Sequence, residues 1–116
     1  MSQSLKSTSL KLPKNLNFQI EQHVINKGFG LRGKSKWIRI AIEEFFNIPD
    51  YPTLVDLADT MEDLDKVVNI RLPDDLMNKI ENAVIEIRQT YPLMEGVRSK
   101  LIRASILQKI ISSNSQ

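Results

Sequence analysis

The chain has no cysteine. That excludes disulfides, thiolate metal sites and a cysteine nucleophile, and it suits a reducing, cytoplasmic setting. Its single histidine, His23, cannot build a metal site alone, which argues against zinc hydrolase chemistry. No apolar run approaches the roughly 18 residues of a membrane span. Residues 1–14 hold no signal-peptide hydrophobic stretch, so neither a membrane partner nor export is expected. A phosphate-cradling loop, a nucleophile–base pair and a metal set are all missing, so the expectation is a protein that is not an enzyme and needs no cofactor.

What is present fits one small soluble domain: 116 residues, 41% apolar and 26% charged. The net charge of +2 hides a pattern. Residues 1–47 carry eight basic and three acidic residues, a balance of +5. Residues 48–66 carry one basic and six acidic residues, a balance of −5. Residues 67–116 return to +2. Two basic segments flank an acidic connector, and a basic surface favours a polyanionic partner.

The chain also repeats itself. Leu10-Lys11-Leu12-Pro13 returns as Ile70-Arg71-Leu72-Pro73, a shift of 60 that also carries Leu16 to Leu76, Ile20 to Ile80, Glu21 to Glu81, Val24 to Val84 and Ile25 to Ile85. Ser35-Lys36-Trp37-Ile38-Arg39 returns as Ser99-Lys100-Leu101-Ile102-Arg103 at a shift of 64. The second copy thus gains four residues, about one helical turn. Two blocks in order, with core and basic types kept, point to a duplication.

Each copy opens with alternating apolar and polar residues, Thr8 to Pro13 and Val68 to Pro73, which is the strand period. Proline then stops the ladder and opens a helix. Leu16, Ile20 and Val24, and Leu76, Ile80, Ala83, Val84 and Ile87, follow helical spacing. Gly28 ends the first of these helices, and the second runs to about Thr90 before Tyr91-Pro92 breaks it. A further helix in each copy has Trp37, Ile38, Ala41, Ile42 and Phe45, or Leu101, Ile102, Ser105, Ile106 and Ile110, on one face. Gly33 is the candidate N-cap in the first copy, Gly96 or Val97 in the second. In the connector, Pro49 and Pro52 end the preceding helix, and Thr53 could cap a short helix with Leu54, Leu57, Ala58, Met61 and Leu64 on one face. It reads as a solvated tether resting lightly on the body, with a docking site for a basic partner as the alternative.

A lone strand of six residues exposes unpaired backbone and needs a partner, and the chain supplies one equivalent strand. The expected fold is therefore mainly α with a two-stranded antiparallel ribbon, the two repeats forming an intramolecular dimer about a pseudo-twofold axis. Residues 1–116 form one domain: repeat 1 at 7–47, the acidic connector at 48–66 and repeat 2 at 67–112. Leu10, Leu12, Val68, Ile70 and Leu72 face the helices. Ser7, Ser9, Lys11, Asn69 and Arg71 lie on the opposite face, with Val67 at its edge.

Each copy resembles the ribbon-helix-helix family of DNA-binding proteins, the group of the Arc and MetJ repressors. The resemblance rests on the alternating strand before Pro13 or Pro73, the apolar first helix, and GKSKWIRIAIEEFF or VRSKLIRASILQKI as the second helix. It covers nearly all of the chain except the connector and tails. Holding both halves in one chain is similar to the tandem type found in TraY of conjugative plasmids. The resemblance implies a ribbon laid in the major groove of double-stranded DNA, with further copies bound alongside, and a role in transcription regulation as a repressor. Arg71 has the fork to grip guanine, Asn69 can pair with adenine, Lys11 can donate to guanine or phosphate, and Ser9 and Ser7 can donate or accept. The starts of the second helices would hold phosphate: Arg32, Gly33, Lys34 and Ser35 in the first copy, Arg98 and Ser99 in the second. A conjugation or partition accessory protein of a mobile element binds DNA equally and is the alternative. A third reading is an antitoxin-like interaction protein, against which stands the short stretch from Ser112 to Gln116 after the last helix. Trp37, Phe45 and Phe46 are expected in the core, His23 on an apolar helix face, and Asp74-Asp75 as a favourable pair at a helix start.

Overall fold

The computed structural model describes residues 4–28, 33–58, 61 and 63–114. Among the described residues the elements follow in the order strand β1 (Leu5–Leu12), helices α1 (Lys14–Asn26), α2 (Lys34–Phe45) and α3 (Tyr51–Leu57), strand β2 (Lys66–Pro73), and helices α4 (Asp74–Thr90) and α5 (Val97–Asn114). The molecule is mainly helical with one two-stranded antiparallel sheet. None of the described helices is long and apolar enough to cross a membrane.

The strands pair Leu5 with Pro73, Ser7 with Arg71, Ser9 with Asn69, Lys11 with Val67 and Leu12 with Lys66. The strand period then sorts the side chains. Leu10, Leu12, Val68, Ile70 and Leu72 are buried, each contributing about 1.5–3 kcal/mol by leaving water. Both strands begin earlier than the alternation suggests, at Leu5 and Lys66. In Leu5-Lys6-Ser7 no buried apolar residue marks the period, so pairing alone extends β1.

Proline closes each strand and opens the next helix. Pro13 and Pro73 occupy the N-cap positions of α1 and α4 in extended geometry. Leu16, Ile20 and Val24 bury one stripe of α1. Leu76, Met77, Ile80, Ala83 and Ile87 bury the stripe of α4. Past the end of α1, Gly28 takes φ 75°, a left-handed conformation that costs glycine nothing. With 17 residues against 13, α4 is four residues longer than α1, matching the change of shift from 60 to 64 between the two matched blocks.

In α2, Trp37, Ile38, Ala41, Ile42 and Phe45 are buried, as their spacing requires. His23 is half-buried, with its ring centroid 5.8 Å from that of Trp37. Helix α5 departs from a single apolar face: residues 101–106 are all buried. It packs against α2, α3, α4 and β1, and a helix enclosed on several sides has no water-facing stripe.

The connector differs most from its expected form. Its N-cap is Asp50, left-handed at φ 62°, while Thr53 is inside the helix and donates its hydroxyl to Asp50 Oδ2 at 2.9 Å. Pro52 does not end the preceding helix but sits in the first turn of α3, where a missing N–H is harmless. Val55 is fully buried and Ala58 nearly so, whereas Leu57, expected on the apolar face, is 61% exposed. The segment is thus docked on the body through Val55, and α3 packs on α5. Tyr51 completes the attachment, its ring 5.6 Å from Phe45 and 5.4 Å from Phe46. Burial, then the neighbouring Glu86 carboxylate, raises the Tyr51 phenol above its ordinary pKa and keeps it protonated.

Candidate nucleic-acid interface

Among the described residues no layer of side chains covers the ribbon's second face. Ser7, Ser9, Lys11, Val67, Asn69 and Arg71 are all exposed. Register groups them into three facing pairs: Ser7 with Arg71, Ser9 with Asn69 at the centre, and Lys11 with Val67. The sequence-predicted base-contacting residues therefore share one face. Val67 closes this face at one end, as the strand period places it, 57% exposed and opposite Lys11. Among the described residues, neither Lys11 nor Arg71 is ion-paired through its side chain.

A two-stranded sheet leaves alternate backbone groups pointing away from the ladder on both edges. Two side chains from the later helices take up such groups here. The Arg71 N–H donates to Ser35 Oγ at 3.2 Å, at the start of α2. The Lys11 carbonyl accepts from Arg103 Nη1 at 3.3 Å, from within α5. Each strand is thus braced by a helix from the other half of the chain, at its outward-facing cationic residue. No local pattern signals the Ser35 bond. The burial of Arg103, 6% exposed, is likewise not readable from the Arg39/Arg103 repeat.

The helix starts lie beside this face. Ser35 is one residue into α2, and Ser99 is one turn before Arg103 in α5. Among the described residues no side chain caps α2, and Gly33 is its buried N-cap. The first N–H groups of a helix lack a carbonyl partner within it, and those of Lys34 and Ser35 are such groups, of the kind that can meet an anion. The Lys34 ammonium is engaged sideways: it donates to Asn17 Oδ1 at 3.0 Å and lies 3.8 Å from Glu21 Oε1. Arg98 is held in the corresponding way, paired with Glu81. Both pairs are part-exposed, and such pairs contribute little, so a phosphate can compete for the cation. Arg32, the remaining phosphate candidate, lies outside the described residues.

Asp74 and Asp75 stand in the first turn of α4, where Asp75 Oδ1 accepts the Leu76 N–H at 2.8 Å. That is a helix-start role. A separate cleft of about 360 Å³ lies between the C-terminal parts of α2 and α5, lined among others by Ala41 and Ser105, Glu44 and Gln108, Phe45 and Lys109. Lys109 crosses it to Glu44 at 2.6 Å.

Comparison of the chain with protein-family models, curated proteins and solved structures finds no match.

Proposed function

We propose that this protein binds double-stranded DNA sequence-specifically as a transcriptional repressor, laying its two-stranded ribbon in the major groove. The observation that carries the reading is the uncovered ribbon face, with Ser7, Ser9, Lys11, Asn69 and Arg71 pointing outward together and a helix start hydrogen-bonded to its edge. The major groove, about 12 Å wide, admits a two-stranded ribbon and presents distinguishable base edges. The Arg71 fork would read guanine O6 and N7, Asn69 would read adenine, and the α2 start would fix the register on the phosphates.

The same reading makes the ribbon-helix-helix arrangement a duplicated one with a pseudo-twofold axis through Ser9 and Asn69. Three placements support it. The 60-residue correspondence turns the pair Ser7–Arg71 into Val67–Lys11, which is the pair on the other side of the centre. The ion pairs Lys34–Glu21 and Arg98–Glu81 join corresponding residues. The cleft between α2 and α5 is lined by corresponding residues 64 apart.

The test is selection of bound duplexes from a random pool, followed by titration of the selected and a scrambled duplex across salt. Arg71→Ala should lose about 1–3 kcal/mol on the selected duplex and relax preference at one base pair. Equal loss on both duplexes would make Arg71 a phosphate contact. No retention of any duplex at low salt would end the proposal.

A further inference from the structure

We infer that the ribbon reads a non-palindromic duplex, with guanine beneath Arg71 on one side of its centre and a thymine methyl group against Val67 on the other. This rests on the duplex-DNA reading above. Val67 is a branched hydrocarbon, 57% exposed, in the three pairs at the middle of a face whose other five members there are two serines, an asparagine, a lysine and an arginine; Leu5, 54% exposed, lies further out on the Arg71 side, opposite Pro73. Single exposed apolar residues are common on protein surfaces. Here the position is one of six that would meet base edges, and the major groove offers one apolar feature to a valine, the thymine C5-methyl.

The asymmetry follows from register. Ser7 faces Arg71, and Lys11 faces Val67. A ribbon made by two identical chains would present the same pair on both sides. One chain supplying both strands is free of that constraint. One side offers a hydroxyl beside a planar guanidinium fork, the other a hydrocarbon beside an ammonium point charge. No palindrome presents matching chemistry to both.

The experiment uses the intact chain and the duplex it selects from a random pool. Each thymine is replaced in turn by deoxyuridine, which removes the methyl and keeps every hydrogen-bonding group. At one position, distinct from the one where Arg71→Ala loses its guanine preference, the replacement should weaken binding about fourfold, the weight of one buried methyl. Val67→Ala should bind the thymine and deoxyuridine duplexes equally, with an unchanged thermal melt. A palindromic selected site, indifference to every replacement, or a Val67→Ala chain that still senses the methyl would each overturn the inference while the duplex reading stands. Failure to retain any duplex would overturn both.

Discussion

The first half of the molecule (β1, α1 and α2) and the second (β2, α4 and α5) put matching side chains inward and different ones outward. Leu10 and Ile70, Leu12 and Leu72, Leu16 and Leu76, Ile20 and Ile80 are all buried at corresponding positions. Across the ribbon's outer face the correspondence gives Ser7 with Val67, Ser9 with Asn69 and Lys11 with Arg71. The inner residues share one closely packed space, and a change of volume there is felt by every neighbour. Outer residues are exposed, so their chemistry is less bound by the packing of the interior. The difference locates where the molecule can be specific without becoming unstable.

Cutting the two regions apart is the most severe break. A chain of residues 1–47 would lose β2, α4 and α5. Leu10, Leu12, Trp37 and Phe45, all nearly fully buried in the intact chain, would lose most of their cover. β1 would keep an open edge, and an isolated strand has no stability of its own. The expected outcome is loss of all cooperative unfolding in a circular-dichroism melt, with self-association at higher concentration. A dispersed NMR spectrum from a monomeric fragment would show that the first half folds without the second.

A finer cut exploits corresponding arginines with different surroundings. Arg39 in α2 is half-exposed, whereas Arg103 in α5 is 6% exposed and donates to the Lys11 carbonyl. Arg103→Ala should destabilise the protein by about 1.5–3 kcal/mol, the range for a hydrogen bond from a charged group that leaves its acceptor unpaired. Arg39→Ala should stay within about 0.5 kcal/mol. Urea denaturation of both variants checks the contrast. Equal effects would mean that α5 is not the more enclosed of the two helices.

Much of this was legible in the residues, because the two regions obey different rules. Alternation before Pro13 and Pro73 and the i, i+4 spacing of Leu16, Ile20 and Val24 are local signals that packing preserved. The outward set on the ribbon follows from the same alternation. The start of β2 at Lys66 is not legible, because it depends on pairing with Leu12, which no local pattern announces. Val55 is not legible as core because a seven-residue helix is too short to define its own face, and α5 decides which side is covered. Ser35 bonding to Arg71 joins residues 36 apart, and the Arg103 bond joins residues 92 apart. Such contacts exist only once the topology does.

The smallest expected effect separates the two helix starts. Lys34 lies by Glu21 and Arg98 by Glu81, with the glutamate side chains 52% and 44% exposed. Ion pairs this open are screened and are worth about 0–1 kcal/mol, so Glu21→Gln or Glu81→Gln should shift stability by about 0.5 kcal/mol or less. Under the DNA proposal their effect on binding has the opposite sign. Each glutamate competes with phosphate for its cation, and its removal frees Lys34 or Arg98 to take a backbone phosphate. Affinity for the selected duplex should rise, and the salt dependence should steepen by about one unit as one more counterion is released. Loss of any negative charge raises affinity for DNA somewhat, so the exposed Glu43 supplies the control: Glu43→Gln, near the far end of α2, should leave the slope unchanged. A steeper slope in both glutamate variants would mean that both helix starts sit on the duplex. A steeper slope in Glu21→Gln alone would place only the α2 end there and make the molecule's grip as one-sided as its outer ribbon face. Weaker binding in either variant would show that the carboxylate orients the helix start and does not compete with phosphate.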